Sequence, residues 1–437
     1  MHDLRRPLIL TLFLFLLLSA GQVYGKVYID IGSPSFQKFP IAIADFKPFR
    51  PVADKGDLPV WFSDTLSRNL TITGYFNVLD RRAFLEDPQA GITAEGIRFE
   101  DWTVIGAEYL VKGGFHTDGR ELVTEFRLFD VVRGELLVGK RYTGRPEDRN
   151  RMVMQFVNEI LLSLTGEAGL FDTQVAFVRK GDAPADIYAI NFDGSDLRRI
   201  TNYNALTLAP RWSPDGRFLA FTSYRDGNPD IYLLDLRNNS TRKIAFYPGL
   251  NLPGSWSQDS ARLLVTLSRD GNQEIYDMNV GSLLLQRLTR DFSIDVSPVR
   301  SSDEKRIAFV SNRNGSPQIY IMDADGGSVR RLTDQGNYNT SPAWSPKGNR
   351  IAYEGSVNGR FQIFTIDAEG GDPQQLTFEG GDHESPSWSP DGRYLVYSVR
   401  VGGRSRIEIM NAGGQNVRVL YQGNDVSQSP VWSPRLR

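Results

Sequence analysis

Beyond residue 169 the chain repeats one arrangement of apolar runs and polar turns every 44 residues. Trp212, Trp256, Trp344, Trp388 and Trp432 mark the period, and Arg300 occupies the remaining station. Each station sits in a version of Ser-Pro-x-Trp-Ser-Pro-Asp-Gly-Arg. Three short apolar runs recur in phase with it. One begins at Val175, Leu219, Leu263, Ile307, Ile351 and Leu395; the next at Ile187, Ile231, Ile275, Ile319, Ile363 and Ile407; the last ends at Thr201, Ala245, Thr289, Thr333, Thr377 and Tyr421. All are rich in β-branched and aromatic residues and bounded by Gly, Asn, Asp or Pro, which predicts strands. Asp215-Gly216 and Gly326-Gly327 supply tight-turn chemistry.

Four strands in a period of this length predict a β-propeller blade. The first three runs precede any tryptophan strand, and the last tryptophan strand, around Trp432, has no runs after it. Six blades result only if residues 429–433 complete the blade begun at Val175. That closure leaves no open sheet edge for another chain to pair with. The expected architecture is multidomain: a small N-terminal α/β domain (26–168), then an all-β six-bladed propeller (169–437) closed by its C-terminal strand.

The period is absent before residue 166. Arg5-Arg6 followed by a short apolar run over 8–20, with Val23-Tyr24-Gly25 as a cleavage site, predicts a signal peptide over 1–25. An uncleaved anchor is the other reading, although the run is short for a spanning helix. No transmembrane segment is expected in the mature chain. Residues 60–73 place Phe62, Leu66 and Leu70 on one helix face, stopped by Gly74. Residues 149–165 do the same with Met152, Phe156, Ile160 and Leu164, stopped by Gly166. Strands are expected over 41–46, 76–79, 109–115, 122–131 and 136–142, the last two paired across Arg133-Gly134. Segments 47–58 and 88–100 read as mobile loops, and 166–172 as the hinge between domains.

A length of 437 residues favours more than one core. The net charge of −2 gives no electrostatic reason to expect nucleic acid. With no cysteine there is no disulfide, thiolate nucleophile, zinc-thiolate site or lipidated N-terminal cysteine. His116 and His383 fall in different domains and outside any H-E-x-x-H pattern, and no G-x-S-x-G elbow occurs. Asp215, Asp259, Asp303 and Asp391 recur as turn carboxylates rather than acid catalysts.

Five residues before each station sit Thr207, Asn251, Asp295, Asn339, His383 and Ser427, all polar. In a closed propeller these positions, in the loops leading into the tryptophan strands, would ring one mouth of the channel. They read either as solvated loop or as a docking mouth for one inserted segment. Asp382, His383 and Glu384 are the densest acidity there and would hold a hard cation given suitable oxygen geometry. No cofactor is otherwise expected.

The signal peptide, α/β domain, six in-register repeats and stop just after Trp432 together resemble the TolB family, the periplasmic components of Tol–Pal systems. The resemblance implies a non-enzymatic scaffold. Its propeller mouth would receive the peptidoglycan-associated lipoprotein Pal, and its mature N-terminal segment the C-terminal domain of TolA, with other outer-membrane proteins as further partners. The matching segment here is Lys26, Val27, Tyr28, Ile29, Asp30 and Ile31, whose alternation suits either an added strand in a partner's sheet or an ordinary first strand. The competing reading is an exported propeller lyase or hydrolase, with His383 and Asp382 as its only candidate base or metal ligands.

Overall fold

The computed structural model describes residues 37–50, 56–85, 90–181, 183–378 and 380–436. The signal peptide and the segment 26–31 lie outside them.

The N-terminal part runs β1 (Phe39–Ile43), β2 (Lys47–Pro48), α1 (Leu58–Ile72), β3 (Phe76–Val78), α2 (Phe99–Val104), β4 (Tyr109–Thr117), β5 (Leu122–Asp130), β6 (Glu135–Gly144) and α3 (Arg149–Thr165). The sheet order is β3-β1-β4-β5-β6, with β2 also on β4. The β1 pairings are parallel and the hairpin strands β4, β5 and β6 antiparallel. Helices α1 and α3 pack together over one sheet face because each turns one apolar stripe inward: Phe62, Leu66 and Leu70, and Met152, Phe156 and Ile160. The left-handed Gly166 (φ 75°) ends α3, its N–H donating to the Leu162 carbonyl.

Two segments expected as loops contain structure. Lys47 and Pro48 pair with Gly114 and Phe115. That edge needs small neighbours, since a side chain at Gly113 would lie 2.0 Å from the Phe46 ring. Phe99 opens α2, which covers the opposite sheet face with buried Trp102, edge-on to Phe84 at 4.9 Å. A six-residue helix is too short to announce itself by period.

Six four-stranded antiparallel sheets follow. Thr207–Trp212, Asn251–Trp256, Asp295–Arg300, Asn339–Trp344 and Asp382–Trp388 each begin a blade, and Val426–Trp432 pairs with Gln174–Lys180 to close the sixth. Successive tryptophan strands touch around the ring, the last against the first, so they line the channel. Each strand changes register midway. In five blades the bulge carries a non-glycine residue with positive φ: Ala209, Ser297, Ser341, Ser385 and Ser429.

The repeat motif has a physical reason at each position. Ser213 donates its hydroxyl to Asp215 (2.5 Å) and accepts from the Phe218 N–H (2.8 Å), closing the turn. Ser257–Asp259, Ser301–Asp303 and Ser389–Asp391 repeat this, so these carboxylates cap turns. Indoles tie blades together: Trp256 donates to the Arg211 carbonyl (3.2 Å) and Trp388 to the Ala343 carbonyl (3.0 Å). Arg300 makes its link by charge, 2.7 Å from Asp277 of the preceding blade.

The two parts share one apolar core, running from α1 and α3 through Leu170 and Phe171 into Phe192, Tyr394 and Trp432. Arg393, only 8% exposed, reaches the Tyr75 hydroxyl (2.8 Å), the Ala168 carbonyl (3.1 Å) and Asp391 (2.6 Å). Tyr394 donates to the Thr73 carbonyl (2.8 Å), and Arg435 holds Gly169 and Asp172. The connection 166–172 is therefore clamped by both domains rather than free to swing.

Candidate functional site at the propeller mouth

The N-terminal domain meets the propeller where the tryptophan strands end. Among the described residues, its hydrogen bonds to the propeller fall at that end and not at the opposite mouth, where those strands begin.

The polar ring lies at that mouth, but within the strands and not in the loops before them. Thr207, Asn251, Asp295, Asn339, His383 and Ser427 are all buried. Most are consumed by local bonds. Thr207 contacts Ser223, Asn251 bonds the Tyr247 backbone through both amide atoms, and Asn339 donates to Gln318 and the Gln335 carbonyl. Ser427 engages Ser405 and Asp425. Burial pushes the Asp295 carboxyl up, against the pull of Ser311 and Arg313.

Strand alternation separates the acidic triplet. Asp382 (3.4 Å) and Glu384 (2.8 Å) both face Arg400. His383 turns inward against Tyr397, its ring 5.7 Å away and its pKa lowered by burial. The three do not converge, and among the described residues no group of three or more His, Asp or Glu side chains is placed to hold a metal ion. The candidate base of the enzyme reading thus points away from the mouth.

The loops leading into the tryptophan strands instead expose apolar side chains: Leu206, Phe246, Phe292, Ile294, Tyr338 and Phe378. Phe292 is fully exposed. Such a concentration at one end of a domain is a recognised mark of an interaction surface. Its sequence signal was available one position away from the polar ring: six before the station stand Leu206, Leu250, Ile294, Tyr338, Asp382 and Val426. Polarity directed attention to the buried neighbour.

At the other end the channel widens into a cavity of about 450 Å³ lined by Ser297, Ser341, Ser385, Ser429, their adjoining prolines, Arg211 and Arg300.

Comparison with known proteins agrees with this architecture. Residues 162–436 match the family described as TolB beta propeller domain, and residues 27–137 the TolB amino-terminal domain. Tol-Pal system protein TolB of Syntrophus aciditrophicus is 53% identical over 208 residues, 46% of this chain and 46% of that one. The protein of that name from Desulfosudis oleivorans is 41% identical over 218 residues, 50% of each chain. The chain thus spans about half the length of the curated relatives it matches. The crystal structure of TolB from Acinetobacter baumannii aligns with a TM-score of 0.77 at 28% identity, covering 91% of this chain and 97% of that one. The chain belongs to the TolB family, with the family's amino-terminal domain followed by its β-propeller.

Proposed function

We propose that the chain is a non-enzymatic periplasmic adaptor of a Tol–Pal system. Its propeller mouth receives Pal, and its mature N-terminal segment, 26–31, engages the C-terminal domain of TolA. The adaptor couples the inner-membrane motor to the outer membrane, supporting envelope integrity and constriction at division. The observation that carries this reading is the apolar rim at the mouth opposite those N-terminal-domain contacts. Hot spots of protein interfaces are large apolar or aromatic side chains of this kind, ringed by polar groups that exclude water. Here the flanking polar groups are Asp382, Glu384 and Arg400.

The mechanism is a population shift. Pal at the mouth changes how far segment 26–31 is packed or free, and so changes affinity for TolA; linkage makes the effect reciprocal. The test is binding of immobilised soluble Pal domain to residues 26–437 and to the Phe292→Ala/Tyr338→Ala variant. Phe292 is fully exposed and Tyr338 packs only edge-on against Phe361, so the variant is expected to fold, which its thermal melt checks. A loss of at least about tenfold in affinity is expected. Unchanged affinity sinks the rim as the docking surface, and absence of binding by the parent chain sinks the adaptor reading.

A further inference from the structure

The cavity at the tryptophan end of the channel has a chemistry of its own, apart from the adaptor reading. Arg211 lines it, on the strand that begins the first blade after the linker. The side chain is half-buried on the cavity wall, and among the described residues it has no ion-pair partner. Its guanidinium reaches only the carbonyl of the adjacent Pro210, at 2.8 Å. Burial alone pulls its pKa down to about 10, with no carboxylate near enough to oppose the shift. A guanidinium partly withdrawn from water without a counter-charge favours any anion that can reach it.

A second feature of the same wall points the same way. Arg300, with a side chain only 8% exposed, shares the single carboxylate of Asp277 with Arg262. Arg300 Nε remains buried without a hydrogen-bond acceptor, while one terminal nitrogen faces Asp277. The hydroxyls of Ser297, Ser385 and Ser429, which line the same cavity, have no partner among the described residues. The wall therefore offers unspent donors beside the unpaired Arg211. Glu304, the carboxylate on the lining, is engaged by the Gln258 N–H at 2.6 Å.

We propose that this cavity is an oxyanion-binding site, with Arg211 as its principal ligand. The planar guanidinium fork matches a carboxylate or a phosphate group, and the serine hydroxyls supply further donors. The volume falls within the range of small-molecule sites, so the oxyanion is either free or carried on a short molecule such as a peptide C-terminus.

Calorimetric titration of residues 26–437 with inorganic phosphate, with an acetylated tripeptide bearing a free carboxylate, and with its amide distinguishes these sources. Binding of phosphate or of the free acid, but not the amide, in the millimolar range or tighter is expected. Arg211→Ala is expected to weaken it by at least about tenfold, whereas Arg217→Ala, whose side chain pairs with Asp235 on the outside of the first blade, leaves it unchanged. Arg211→Met keeps the apolar stem and serves if the alanine variant does not fold. Response to phosphate alone assigns a free anion, and response to the free acid assigns a peptide terminus. Failure of the parent to bind either probe, or undiminished binding by the Arg211 variants, overturns the proposal.

Discussion

Arg217 and Arg393 occupy the same position of the repeat, five residues after the tryptophan, so their replacement separates what the blade requires from what the domain interface requires. Arg217 pairs with Asp235 and its side chain is 40% exposed. The guanidinium is screened by water and Asp235 keeps the Arg237 N–H, so Arg217→Ala should cost far less than Arg393→Ala. Arg393 is 8% exposed and simultaneously serves Asp391, Tyr75 and Ala168. Its removal strands a carboxylate that is 13% exposed, together with a phenol and a carbonyl in the shared core. Loss of one partner of a buried pair costs roughly 3–5 kcal/mol. Asp391 keeps the Ser389 hydroxyl and the residue-393 N–H, which places the expected loss near the lower end, about 3 kcal/mol.

Urea unfolding followed by tryptophan fluorescence measures both variants under one protocol. A second readout is proteolysis at 166–172, since the Ala168 carbonyl is held by Arg393 and Arg435. Arg393→Ala should hasten cleavage there by about tenfold or more, and Arg217→Ala should not. Equal losses in the two variants, with equal cleavage, would refute the reasoning that the domains are clamped through this blade.

Trp432→Ala removes a buried ring beside Phe192 and Tyr394 and a 2.9 Å bond to Thr173; a loss of about 3–5 kcal/mol in the same urea assay is expected, and a loss under about 1 kcal/mol would deny the closing strand its structural role. Burial raises the Glu354 carboxyl from 4.5 to about 7, so it favours the fold while protonated. That contribution is whole below pH 4.5 and is lost as pH rises through about 7; Glu354→Gln should flatten this part of the stability–pH curve, and an unaltered slope would contradict it. Deleting 26–31 should abolish binding of the TolA C-terminal domain while Pal still binds at the mouth, with an affinity changed by loss of the coupled segment, both measured by calorimetry.

The propeller was legible because its determinants are local and repeated. A serine opens the same tight turn in successive blades, and at several stations the tryptophan or Arg300 ties one blade to its neighbour. The closing pairing of Val426–Trp432 with Gln174–Lys180 joins distant parts of the chain, yet it followed from counting strands. What escaped was set by contacts between elements. Phe99–Val104 is helical because Trp102 has a pocket beside Phe84, and Lys47–Pro48 pairs because β4 offers a small-residue edge. The six polar positions do share one end of the tryptophan strands, but polarity does not reveal burial. Asn251 and Asn339 are polar because they bond loop carbonyls from inside, while exposed Tyr338 stands one residue before Asn339 and exposed Ile294 one before Asp295. Arg393, the bridge between the domains, looked like any other turn arginine, since nothing in a repeat tells which copy faces another domain.

The adaptor account is tested most directly by titrating the TolA C-terminal domain into residues 26–437, alone and saturated with the soluble Pal domain of the same organism, and then by the reverse titration. The account predicts that Pal changes the affinity for TolA and that TolA changes the affinity for Pal by the same factor. Identical affinities in the two states, or no binding of either partner, would contradict it.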